Sequence, residues 1–194
     1  FNLSKVRFWA RSGLVLSLVL VAITLSIPVL QANSWEVLGF KPSFKINPFR
    51  QSIGWEKLPL ALEDADFDAE QDFLFSERYQ WCSILSFYSP SQKRAYFFNV
   101  SEAHENQFSF WPSISEEKGK TGYLLSVVTG DNTLKEALAQ GKLLKEKLNP
   151  FFEKVSVAGT PELFSCYGKV VKRGVLMRCE GYSGKMPVVY EKAY

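Results

Sequence analysis

Residues 12–35 carry no charge, and this run constrains the chain more than any other feature: Lys5, Arg7 and Arg11 precede it and about 160 mostly polar residues follow it. Between Leu14 and Leu30 only Ser17, Thr24 and Ser26 are polar. At ~1.5 Å rise per helical residue the run is long enough to cross a hydrocarbon layer of ~30 Å. It reads as a transmembrane helix over 12–35 with residues 1–11 as a cytoplasmic flank. Pro28 near the exit and Trp35 beyond it suit a helix that reaches the headgroup zone. A secretory signal peptide is the competing reading, because the basic start, the apolar stretch and Ala32 imitate one. Against it, Leu30 is a poor residue two before Ala32, and the run is long for an h-region. A buried helix of a soluble domain ranks behind both. Three basic residues stand before the run, whereas Glu36 precedes Lys41 and Lys45 after it, so the positive-inside bias puts the larger part outside the cytoplasm. The opening segment FNLSKVRFWA, starting at Phe1, reads as the middle of something larger, and the expectation is a C-terminal piece of a larger membrane protein.

Residues 36–194 suffice for one domain with a real core and are too few for two. Aromatic residues, 15% of the chain, supply large side chains for that core. The 23 basic and 20 acidic residues are spread along the sequence, so no basic stripe of the nucleic-acid-binding kind forms and no nucleic-acid partner is implied. Cys82, Cys166 and Cys179 have no metal-site spacing. Cys82 reads as a small core residue of a helix. Cys166 and Cys179 flank a hairpin: a turn at Lys172 and Arg173 sets them opposite each other as a candidate disulfide, and a turn at Arg173 and Gly174 separates them.

Along the chain, residues 36–72 read as a linker and short helix and residues 73–194 as the domain. Residues 39–54, with Pro42 and Pro48, suggest extended chain. A short helix follows Trp55 with Leu58 and Leu62 on one face, and the acidic residues 63–72 form a solvated connection. Residues 73–75 form a strand. Ser76 then caps a helix whose Tyr79, Cys82, Leu85 and Tyr88 share a face, stopped at Ser89-Pro90. Further strands are expected over 95–100, 123–128, 151–157, 163–171, 175–182 and 187–190. Between the second and third of these lies a helix opened by a Thr133/Glu136 capping box, with Leu134, Ala137, Leu138, Gly141, Leu144 and Leu148 at helical spacing. Strands alternating with helices predict an α/β sandwich with a mixed sheet, partly parallel and antiparallel at its end.

Little here has the spacing of a catalytic motif. His104, the single histidine, lacks a nucleophile elbow, and the Thr129-Gly130-Asp131-Asn132 turn lacks the glycines of a phosphate loop. One polar cluster stands out: Glu77-Arg78-Tyr79-Gln80 at a helix start, with Glu105-Asn106-Gln107 and Trp111-Pro112. Amides, a guanidinium fork and aromatics suit sugar or phosphate recognition, but spacing alone favours the other reading, that they cap the helix and tie loops to the sheet.

These residues carry a resemblance. The blocks Asn47-Pro48-Phe49-Arg50 with Gly54-Trp55, Phe75-Ser76-Glu77-Arg78-Tyr79-Gln80 running through Ser86-Phe87-Tyr88, Asn106-Gln107-Phe108 with Trp111-Pro112, and Arg178-Cys179-Glu180-Gly181-Tyr182 resemble the C-terminal extramembrane domain of bacterial glycosyltransferase family 39 proteins. The resemblance spans roughly residues 47–182. That family comprises polytopic GT-C enzymes, protein mannosyltransferases and lipid A aminoarabinose transferase relatives among them, which take sugars from polyprenyl-phosphate carriers. It implies a bacterial inner-membrane protein with a periplasmic domain. The implied partners are membrane lipid, a polyprenyl-phosphate sugar donor and the remainder of a polytopic membrane domain. The family's catalytic acidic residues lie in its first external loop, so the resemblance assigns no catalytic residue here. It implies no cofactor for this part, and a divalent metal, if one assists, belongs to the missing part. Substrate binding is expected of Arg78, Tyr79, Gln80, Asn106, Gln107 and Trp111. The alternative is a single-pass envelope protein with a non-catalytic binding domain.

Overall fold

The computed structural model describes residues 3–33, 43–90, 92–101, 107, 111 and 114–187. The chain divides into two compact units, Phe1–Ile53 with Ser165–Lys169, and Gly54–Phe164 with Val170–Tyr194.

The first unit is dominated by helix α1 (Leu3–Asn33), which begins nine residues before the uncharged run and so takes Lys5, Arg7 and Arg11 into its opening turns. Its segment Ser4–Ser26 is long and apolar enough to cross a membrane, and none of it is buried against protein. Leu14, Leu16, Leu18, Leu20, Ile23 and Leu25 all remain exposed. The hydroxyls of Thr24 and Ser26 donate to the carbonyls of Leu20 and Ala22, one turn back, at 2.8 and 2.7 Å. Such internal pairing is what a polar side chain needs where no water is available. Within residues 43–53 the chain is not extended as expected. A 3₁₀ turn at Phe44–Ile46 and further turns replace the extended linker, because Asn47 Oδ1 accepts from the amide of Phe49 at 2.7 Å around Pro48.

The second unit is the expected α/β sandwich with a mixed sheet. Helix α2 (Leu58–Glu63) is followed by β1 (Phe73–Ser76), α3 (Tyr79–Tyr88), β2 (Tyr96–Phe97), β3 (Gly122–Thr129), α4 (Thr133–Leu148), β4 (Phe152–Gly159), β5 (Glu162–Cys166) and β6 (Lys169–Tyr182). The sheet order is β2-β1-β3-β6-β4, with β5 also paired to β6. Strand β1 runs parallel to β2 and β3, and β6 runs antiparallel to β3 and β4. Every residue of β1 is buried because both sheet faces are covered. Phe73, Phe75, Leu124, Val175 and Met177 pack with Ala137, Leu144 and Leu148 of α4. Leu74, Tyr123, Leu125 and Leu176 pack on the other face with Leu58 and Leu62 of α2 and Cys82 and Leu85 of α3. The acidic connection is fastened from this side by the Tyr123 hydroxyl, which donates to the Ala65 carbonyl at 2.9 Å.

Several expectations are corrected. Ser76 is the last residue of β1, not a helix cap: its hydroxyl donates to the Leu125 carbonyl at 2.7 Å, and Arg78 occupies the cap position of α3. Tyr79 is 44% exposed instead of facing the core. The Thr133/Glu136 box does not form; the Thr133 hydroxyl donates to the Val170 carbonyl at 3.1 Å, tying α4 to β6. Leu134 and Leu138 lie outside the buried stripe of α4. The strand expected over 95–100 shrinks to β2, and the strand expected over 187–190 lies, but for Pro187, outside the described residues.

The hairpin differs most. It turns at Tyr167 and Gly168, both left-handed at φ 51° and 72°, the backbone of a two-residue turn whose twist matches its strands. Strand β6 therefore runs straight through Lys172 and Arg173. Cys166 ends β5 beside the turn, whereas Cys179 pairs with Gly122 and Val155 ten residues along β6 from Lys169. Cys82, Cys166 and Cys179 are all free, and the candidate disulfide does not form.

Lys172 is 1% exposed, with its Nζ 3.8 Å from the centroid of the Trp55 ring. Burial lowers its pKa from 10.5 to about 8, with the Glu56 carboxylate opposing. Between those values the unfolded chain keeps a proton that the folded chain has released, so this lysine makes stability rise with pH across that window. The gain is on the order of 3 kcal/mol at most. Urea denaturation from pH 8 to 10.5 should show a steeper rise for the wild type than for Lys172→Met, and parallel curves would contradict this placement.

Candidate functional site

The crossovers of the sheet leave one place where chains depart in opposite directions. From β1 the chain passes through α3, on one face, to β2; from β3 it passes through α4, on the other face, to β4. Between the carboxyl ends of β1 and β3 lies a topological switch point, the position at which open α/β sheets characteristically bind ligands.

Glu77 stands at this point, immediately after β1, on the α4 side of the sheet. It is 4% exposed. Its Oε1 accepts from Ser126 Oγ of β3 at 3.0 Å and from Gln140 Nε2 of α4 at 3.3 Å. Its Oε2 accepts from Ser101 Oγ in the loop after β2. Gln140 Nε2 also lies 3.5 Å from Ser126 Oγ. A carboxylate out of water needs such donors, and here three neutral ones from three elements supply them. None of the described ion pairs includes Glu77. Chemically the arrangement is a buried hydrogen-bond acceptor met by two serine hydroxyls and one amide. Among the described residues no group of three His, Cys, Asp or Glu side chains is placed to hold a metal ion.

Of the six residues expected to bind substrate, three gather beside this carboxylate. Arg78, Tyr79 and Gln80 follow it at the start of α3, all exposed. The Arg78 guanidinium lies over the Trp81 ring, 5.0 Å from its centroid, a cation–π contact. Trp111 belongs elsewhere. It is 40% exposed and lies 4.6 Å beneath the guanidinium of Arg94, which precedes the amino end of β2 and also reaches over Tyr96. There the Tyr96 hydroxyl and Lys120 Nζ both donate to Glu117, each at 2.7 Å. Burial opposes ionisation of Glu117, but these two bonds prevail and hold its carboxyl below the usual range. Burial and then the bond to Glu117 push the Tyr96 phenol up to about 12. The predicted cluster is thus divided between opposite ends of the parallel strands. Gln107 is exposed, and Asn106 lies outside the described residues.

Spacing alone missed Ser101, Ser126, Gln140 and Arg94. One signal was available, a serine inside the otherwise apolar β3. Compared with protein-family models, curated proteins and solved structures, the chain matches none.

Replacing Glu77 with Ala should take this acceptor from three donors and lower stability by about 2–3 kcal/mol, while Glu77→Gln, which keeps one carbonyl oxygen, should cost less. Denaturant titration of both variants tests this, and an Ala variant as stable as the wild type would refute the buried network.

Proposed function

We propose that this chain is the last transmembrane helix and the extramembrane domain of a lipid-carrier-dependent glycosyltransferase of the bacterial inner membrane. The enzyme moves a sugar from polyprenyl phosphate to a cell-envelope acceptor. The observation that carries the reading is α1: a long apolar helix whose side chains over Ser4–Ser26 are not buried in protein precedes an α/β domain with the blocks that resemble family 39. A helix exposed on every side in this way is at rest in lipid and not in water. In this reading the domain is periplasmic and accessory to catalysis. An acidic base elsewhere in the enzyme activates the acceptor for attack on the anomeric carbon, and polyprenyl phosphate leaves. The domain's contribution is at the switch point, where exposed Arg78, Tyr79 and Gln80 beside buried Glu77 offer charge-assisted and directional hydrogen bonds to a phosphate or a sugar.

Two measurements test the reading. A thiol reagent that cannot cross the inner membrane should label a Lys118→Cys variant in intact spheroplasts; the native thiols, 0–3% exposed, contribute little background. Labelling only after lysis would reverse the orientation. Membranes carrying the full-length protein should release polyprenyl phosphate from its sugar conjugate, and this chain alone should not. Turnover by the chain alone would move the catalytic base into it, and a full-length protein inert toward every such donor would leave the single-pass binding protein as the better account.

A further inference from the structure

Helix α4 buries Thr133, Ala137, Gly141, Leu144 and Leu148. With 3.6 residues per turn, the next side chains around the circumference are Leu134, Lys145, Leu138, Lys142 and Lys135, filling an arc of roughly 100°. All five are exposed, Leu134 and Leu138 by 51% and 58%. The arc holds no acidic residue; Glu146 begins the next sector and Glu136 lies beyond it. Its apolar part continues onto the neighbouring strand. Val157 of β4 is 44% exposed, and its Cγ2 lies 3.0 Å from where a Cβ on Gly141 would stand, one turn from Leu138. The opposite edge of the buried stripe is closed by Gln140, which turns toward Glu77. The result is an apolar strip of two leucines and a valine, with Lys145 between the leucines in angle and Lys142 and Lys135 beside them.

We propose that this face of α4 rests on an anionic phospholipid surface. Leucines that dip below the headgroups, beside lysines whose methylene stems lie along the apolar strip while their ammonium groups meet phosphate, are the composition of an interfacial helix. The unopposed positive charge selects anionic over zwitterionic lipid. The proposal rests on the reading of α1 as a membrane helix only in that α1 keeps the domain near a bilayer; it adds which side chains touch the lipid and which lipid they prefer.

The test uses the full chain in nanodiscs, with an environment-sensitive fluorophore on Leu138→Cys and, separately, on Leu143→Cys, which lies on the far side of the same helix. A third label at Leu18→Cys reports α1. Lipids bearing a shallow nitroxide should quench the probe at position 138 in phosphatidylglycerol-rich discs and not in phosphatidylcholine discs. The probe at 143 should be unaffected. Each lysine changed to Gln should weaken the contact about fivefold, and Lys135→Gln, Lys142→Gln and Lys145→Gln together by on the order of a hundredfold. Equal quenching at 138 and 143, or quenching at 138 indifferent to lipid charge and to the triple variant, would overturn the proposal. Protection of position 138 that appears in detergent and grows with protein concentration would assign the face to a second copy of the chain and overturn it likewise. If position 138 is quenched while Leu18→Cys is not reached by deep nitroxides, the lipid face stands and the membrane-spanning reading of α1 fails; the converse result separates them the other way.

Discussion

Strand β6 is hydrogen-bonded along both edges, and the geometry of the domain follows from that. Its residues from Lys172 to Cys179 pair with β3, while Leu176 to Tyr182 pair with β4 and the start of the strand pairs with β5. Val175, Met177 and Cys179 consequently enter the core under α4, and Leu176 enters the core on the other face. A slip of one residue would exchange these sets and put every packed side chain on the wrong face, so two simultaneous pairings and two cores enforce one register. Because β6 separates β3 from β4, the chain must pass over it between those strands. That passage is α4, and it lies on the face opposite to α3.

The switch point is a consequence of the same topology. With α3 and α4 drawn to opposite faces, the carboxyl ends of β1 and β3 lie between the two crossovers, and Ser101 reaches Glu77 there. Glu77 is carried there by β1 and meets Ser126 because the pairing of Phe75 with Leu124 sets the two strands level. Its third donor, Gln140, comes from the second turn of α4, which Thr133 pins to β6 through the Val170 carbonyl. Two of the three donor elements, β3 and α4, are therefore set against each other by β6.

Periodicity made the larger elements legible. The uncharged run of α1, the apolar β1 and β3, and the Ala137, Gly141, Leu144 and Leu148 stripe of α4 all follow from spacing, because each reflects one buried surface and one period. Where partners are distant in sequence, spacing misleads. Lys172-Arg173-Gly174 has the composition of a turn, yet Lys172 is covered by Trp55, and Arg173 donates to the Thr160 carbonyl at 2.7 Å and to Glu162 at 2.8 Å, so both cations stay in a strand. The true turn, Tyr167-Gly168, was masked by a tyrosine in the left-handed region. Leu134 and Leu138 obey the helical period but fall one sector beside the buried stripe, a difference that only the position of the sheet decides. The Glu77 donors lie 24, 49 and 63 residues away, and no local pattern links them.

Gly54-Trp55, Ser76 and Tyr182, all within the sequence blocks, fall on structural joints. Gly54 is left-handed at φ 85°, and a Cβ there would meet the Leu163 carbonyl oxygen at 2.5 Å, so glycine is required by both backbone and space. Trp55 roofs Lys172, Ser76 ties β1 to β3, and Tyr182 packs among Phe73, Phe98 and Phe152. Residues of this kind are dictated by the fold, and any chain with this sheet order and these crossovers has reason to keep them. Arg78, Tyr79 and Gln80 differ: they are exposed, Arg78 lies over the Trp81 ring, and they adjoin buried Glu77. The start of α3 therefore differs from the other blocks: its side chains are exposed beside a buried acidic network and are not used up in packing.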